Sequence, residues 1–136
     1  MFRKQPSKPQ NRIDSLIGAG TKIEGNVLFA GGLRVDGEII GNVTASPDQS
    51  STLVLSEHAR IDGEIKVSHL VINGAVNGPL YAAEFLELQS HSRIKGDVHY
   101  NSLEMHLGAI VEGRLLHASS EAKGVELKLA SSKSGT

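Results

Sequence analysis

Apolar and polar residues alternate along much of this chain. In Leu53–Ile65 (LVLSEHARIDGEI), Ile61, Gly63 and Ile65 fall on one side, and Asp62 and Glu64 on the other. A period of two belongs to a half-buried strand, and across these segments no stripe at helical spacing competes with it. Two further segments match the first without gaps: Leu86–Val98 (LELQSHSRIKGDV) and Leu103–Leu115 (LEMHLGAIVEGRL). Their shared form is L-x-[LM]-x5-[IV]-x-G-x-[IVL]. A degenerate copy, SLIGAGTKIEGNV, runs from Ser15 to Val27. Shorter copies, LRVDGEIIGNV (Leu33–Val43) and LVINGAVNGPL (Leu70–Leu80), carry a reduced connector and repeat the glycine step twice.

The six copies start at 15, 33, 53, 70, 86 and 103. Coils of about 17–18 residues are too short for a strand-plus-helix repeat or a propeller blade. They suit one turn of a β-solenoid with three short strands and three corners. The predicted fold is therefore all-β, a parallel β-helix of about six coils. Each strand pairs with its equivalents in the neighbouring coils, and Leu, Ile and Val stack in interior columns. A single coil cannot bury its inner face, so stability resides in the interfaces between coils. The recurrent glycines Gly25, Gly37, Gly63, Gly74, Gly96 and Gly113 are expected at inward corners, where a side chain would collide with the packed interior. Six coils at the strand spacing make a rod about 29 Å long.

The domain boundaries follow the repeat. Residues 15–118 form the solenoid. Residues 1–14, with two prolines, read as a flexible leader, and residues 119–136, rich in Ser, Lys and Gly, as a flexible tail. Val125, Leu127 and Leu129 alternate within that tail and would suit an irregular strand or a cap. The remaining composition narrows the function. Aromatic residues make up 4% of the chain, so the core is aliphatic. A net charge of −1 gives no protein-wide field to recruit nucleic acid. With no cysteine the chain forms no disulfide or thiolate metal site, which fits a reducing compartment. No apolar run approaches the length of a membrane-spanning helix.

Catalytic and cofactor motifs are not evident. No phosphate loop is present, and Gly18-Ala19-Gly20 is a glycine pair in a turn with no helix behind it. Of the six histidines (58, 69, 91, 99, 106 and 117), His58 and His91 hold equivalent repeat positions. A coil separates them, about 9.6 Å of rod, and no third zinc ligand is evident. They read as solvated turn residues. Arg34, Arg60 and Arg93, with Asp36 and Asp62, form either a charged docking strip or a solvated face with weak ion pairs; the solvated face is preferred. No catalytic, cofactor or metal residue is assigned. The leader holds a different signal. Met1, Phe2, Arg3 and Lys4 place an aromatic ring beside cations, and no acidic residue occurs before Asp14. Such a segment can insert its ring at a membrane interface while its cations meet anionic headgroups.

In combination, the copies RIDGEI and RIKGDV, the six-coil length, the tails and the MFRKQ start resemble the bactofilin family. The resemblance implies a right-handed parallel β-helix that polymerises without nucleotide, through the ends of the rod, into non-polar filaments. It also implies a cytoplasmic location at a bacterial inner membrane, with cell-wall synthesis or remodelling proteins as partners. Carried over, the family's membrane-targeting stretch is Met1, Phe2, Arg3 and Lys4. Physics points the same way for assembly. A solenoid end is a half-exposed core with unpaired strand edges, and no cap is evident. The exposed layers are expected to be Ile17, Ile23 and Val27 at one end, and Leu103, Met105, Val111 and Leu115 at the other. The alternative is a hexapeptide-repeat enzyme, a trimeric acyltransferase or a zinc carbonic-anhydrase-like protein. The uneven gaps between apolar positions, with no strict six-residue period, argue against it.

Overall fold

Alternation does build the strands, and the glycines and short polar runs between them build the corners. The computed structural model describes residues 12–118, which hold sixteen strands and no cis peptide bond. Most strands are three residues long, because a corner follows after the third residue. All pair in parallel. The architecture is a parallel β-solenoid of six coils, as the repeat predicts.

The first face of the rod stacks β1 (Ser15–Ile17), β4 (Gly32–Val35), β7 (Thr52–Leu55), the second half of β9 (Ile65–Ile72), the second half of β11 (Leu80–Leu88) and β14 (Leu103–Met105). Its register joins Ser15, Leu33, Leu53, Leu70, Leu86 and Leu103, the six starts of the sequence repeat. The second face is a separate six-stranded sheet of β2 (Lys22–Glu24), β5 (Glu38–Ile40), β8 (Arg60–Asp62), β10 (Ala75–Asn77), β12 (Arg93–Lys95) and β15 (Ile110–Glu112). The third stacks β3 (Val27–Phe29), β6 (Val43–Ala45), the first halves of β9 and β11, β13 (Val98–Tyr100) and β16 (Leu115–His117). Because β9 and β11 run on through the corner, the third and first faces form one ten-stranded sheet.

Five interior columns fill the rod. The longest-buried runs are Leu33-Leu53-Leu70-Leu86, Val35-Leu55-Ile72-Leu88, Ile39-Ile61-Val76-Ile94 and Val43-Ile65-Leu80-Val98, every member 2% exposed or less. The fifth, Phe29-Ala45-Val67-Ala82-Tyr100-His117, holds small residues in the middle and rings toward the ends. Columns of like residues pack because each strand repeats the backbone of the coil below it.

The glycines divide differently from the sequence expectation. Gly25, Gly63, Gly96 and Gly113 do share one corner, between the second and third faces, but Gly41 and Gly78 complete that column. Gly37 and Gly74 sit at another corner, between the first and second faces. The steric reason also differs. Gly63 has φ +154°, and a Cβ there would strike the carbonyl of Gly41 in the adjacent coil rather than the packed interior. From Gly25 to Gly96, each glycine N–H in the column donates to the next coil, as from Gly63 to the carbonyl of Asn77 at 3.0 Å. At this corner the backbones of adjacent coils come too close to admit a Cβ. Gly37 and Gly74 lie in two-residue corners over the four-residue turns of the preceding coils; a Cβ on Gly74 would come 2.5 Å from the carbonyl oxygens of Ser56 and Ala59.

Arg12–Asp14, assigned to the leader by sequence, contact the solenoid: the Asp14 N–H donates to the Gly32 carbonyl at 2.8 Å, and the Gly32 N–H donates to the Asp14 carboxylate at 2.9 Å. Met1, Phe2, Arg3, Lys4 and the tail 119–136 lie outside the described residues.

Candidate functional site

The two ends of the rod are where the stacking stops. At the carboxyl-terminal end β14, β15 and β16 pair only with β11, β12 and β13, and among the described residues nothing pairs with their outer edges. The register makes the consequence measurable. Leu88 is fully buried, while its column neighbour Met105 is 44% exposed. Val98 is fully buried, while its neighbour Leu115 is 43% exposed. Leu103 and Val111 are half-buried against the core. These are residue types selected for the interior, standing where only one side of the interior exists.

At the other end, β1, β2 and β3 pair only with β4, β5 and β6. Ile17, Ile23 and Val27 form a half-buried layer there. Phe29 belongs to the same layer and escaped the sequence reading, because it lies two residues beyond the last position of the repeat motif. Leu16 and Leu28, pointing away from the interior on the same coil, are strongly exposed. The carboxyl-terminal coil likewise carries exposed Leu107 and Ile110.

The charged residues do not form one strip. Arg34 lies on the first face, whereas Arg60 and Arg93 share a column on the second. Most ion pairs are local, two residues apart along a strand: Arg34 with Asp36 at 2.9 Å, Arg60 with Asp62 at 3.3 Å. Arg114 reaches across coils to Asp97 at 2.8 Å and also donates its backbone N–H to that carboxylate. These bonds hold the Asp97 carboxyl below its ordinary value, and the Gly32 N–H does the same for Asp14. Asp36 is lowered chiefly by the Ser56 hydroxyl.

The histidines scatter. His58 and His91 are exposed in turns, and His91 faces Glu57 at 3.7 Å. His69 departs from the solvated reading. It is 7% exposed, with Nδ1 3.3 Å from the Ser51 carbonyl and Nε2 3.5 Å from Glu84. His106 Nε2 lies between the carboxylates of Glu104 at 3.0 Å and Glu87 at 3.2 Å on the outer surface. Gly18-Ala19-Gly20 is a turn leading into a strand, with no helix N-terminus to hold a phosphate.

Comparison with known proteins agrees with the architecture. The bactofilin family model, described as polymer-forming cytoskeletal, matches residues 15–116. Bactofilin BacP of Myxococcus xanthus (strain DK1622) is 26% identical over 112 residues, covering 82% of this chain and 45% of that protein. The chain thus spans less than half the length of that relative. No solved structure matches it.

Proposed function

The chain belongs to the bactofilin family of polymer-forming cytoskeletal proteins, and we propose that its polymer grows by stacking the open ends of the solenoid on one another, without nucleotide, into non-polar filaments. The filament lies against the inner membrane of a bacterium and positions cell-wall synthesis or remodelling proteins. The observation that carries this reading is the jump in exposure along single columns, from Leu88 to Met105 and from Val98 to Leu115. A second rod end seated on this layer would cover those side chains, recovering about 1–2 kcal/mol each, and would extend the strand ladders across the junction. Like ends meeting like ends give a filament with no direction. Each contact needs only coils already folded, so no nucleotide-driven step enters.

Membrane attachment rests on Met1, Phe2, Arg3 and Lys4. A single peptide of this kind binds weakly; a filament presents many of them at once, and avidity makes the attachment stable. The family assignment favours this polymer over the hexapeptide-repeat enzyme. Electron microscopy of the purified, nucleotide-free protein tests the reading. Long filaments without structural direction are expected; discrete trimers would overturn it.

A further inference from the structure

The third corner of the coils carries a lengthwise groove. In the third coil this corner is Ser68, inside the continuous strand β9; in the fourth it is Ala83 and Glu84, inside β11 where the register shifts. Tight corners built from small residues leave a depression, with a volume of about 820 Å³, running from the second coil to the sixth. Its floor is Ala45, Val67 and Ala82, with Ala83 beside them. One wall is a ridge of Lys66, Tyr81 and His99 in successive coils: the Tyr81 and His99 rings stack at 4.3 Å, and Lys66 Nζ stands 5.4 Å from the Tyr81 centroid. Ser46, Pro47 and Glu84 border the other side.

We propose that this groove is the docking site of the chain's own carboxyl-terminal segment, residues 119–136, with Val125, Leu127 and Leu129 seated on its floor. Three observations converge. Ala118, where the sixth coil hands the chain on, itself lines the groove, so the segment begins at its mouth. Length is sufficient. Ala83 lies two coils from the sixth, about 10 Å along the rod, and the nine residues from Ser119 to Leu127 reach up to about 30 Å when extended. The chemistry fits as well. Gly124–Ala130 (GVELKLA) alternates apolar residues with Glu126 and Lys128, and the groove offers an apolar floor bordered by a cation, Lys66, and an anion, Glu84. Tethering holds the segment at an effective concentration on the order of millimolar, so a modest fit is enough, and a partner peptide binding this face has to displace it.

The chain has no cysteine, so introduced pairs report the contact directly. Ala83 is exposed and Leu127 stays apolar as cysteine, so the full-length variant Ala83→Cys with Leu127→Cys keeps the fold, checked by circular dichroism. With oxidised glutathione it should form an intramolecular disulfide roughly tenfold faster than Asn77→Cys with Leu127→Cys, whose Asn77 is exposed on the second face. A mixture of the two single-cysteine proteins, Ala83→Cys and Leu127→Cys, should give few linked dimers. Equal rates for the two double variants overturn the proposal. So do linked dimers as the main product of the mixture, which would put a neighbour's segment in the groove. Faster linkage of Leu127→Cys to Met105→Cys than to Ala83→Cys also overturns it, because the segment would then cap the rod end.

Discussion

At the scale of single residues, two kinds of position set the rod: glycines that let coils touch, and acidic or amide side chains that bond across them. The recurring glycine was visible in the sequence, but its reason was not. Alternation put Gly63 on the inward side between Ile61 and Ile65; the structure turns its missing Cβ along the axis, toward Gly41. A corner rotates the chain, so the period of two that sorts strand residues into faces no longer applies there. The prediction becomes sharper as a result. Gly63→Ala, not only a bulky substitution, should destabilise the fold by about 1–3 kcal/mol, because any L residue is strained at this φ and meets backbone that cannot yield. Urea denaturation checks this; an unchanged midpoint would contradict the axial contact.

Asp97 provides a pH signature at the same scale. Its carboxyl is held below the ordinary 3.8 by the Arg114 side-chain and backbone donors. A folded-state value below the unfolded one means that stability is gained above the unfolded value and lost as pH falls through the folded one. The urea midpoint of the wild type should therefore drop between pH 6 and pH 3 by more than that of Asp97→Asn, which keeps the shape and loses the titration. Equal drops in the two proteins would remove Arg114–Asp97 from the account.

At the scale of elements, strands were the most legible feature and corners the least. The six repeat starts coincide with the register of the first face because a β-solenoid converts sequence period directly into stacking. What the repeat concealed was the variety of corners. The step of 20 residues between Leu33 and Leu53 reflects a loop at Ser46–Ser51, and the steps of 17 and 16 that follow reflect the continuous strands β9 and β11. Pooling Gly37 and Gly74 with Gly63 came from reading the short copies as trimmed versions of the long ones. They are coils with a two-residue corner between the first two faces. Side-chain amides help hold the corners in step: the Asn42 N–H donates to Asn26 Oδ1 at 2.8 Å, and Asn42 Oδ1 accepts from the Glu64 N–H at 2.9 Å. Asn42→Ala should cost about 0.5–1.5 kcal/mol by removing the second bond while sparing the first. Hydrogen exchange at the Glu64 amide is the local check: faster exchange is expected, and unchanged protection would show that this link does not hold the corner.

At the scale of the whole molecule, the solenoid was legible in the repeat, because each copy of the repeat becomes one coil. The uneven surface could not. The groove depends on which corner carries Ser68 and Ala83, and the buried state of His69 depends on a neighbouring coil, so neither is encoded in a local pattern. The membrane reading belongs to the assembled molecule too. Phe2→Ala should shift the protein from the membrane fraction to the soluble fraction while filaments persist, since the stacked strands run from Ser15 to His117; unchanged fractionation would remove Phe2 from the attachment.

Assembly through the rod ends is the central claim, and Met105→Arg tests it most directly. Met105 is 44% exposed at the last coil, so an arginine there can extend into solvent while the protein is a single rod. In a junction the same charge would be buried unpaired, at a cost of several kcal/mol. The matching change one coil inward, Leu88→Arg, puts the charge where exposure is 0% and should unfold the protein. Sedimentation velocity on Met105→Arg, with circular dichroism as the folding check, is the decisive measurement. The account predicts a β-rich protein that sediments as a small species under conditions where the wild type forms filaments; filaments of wild-type length from Met105→Arg would contradict it.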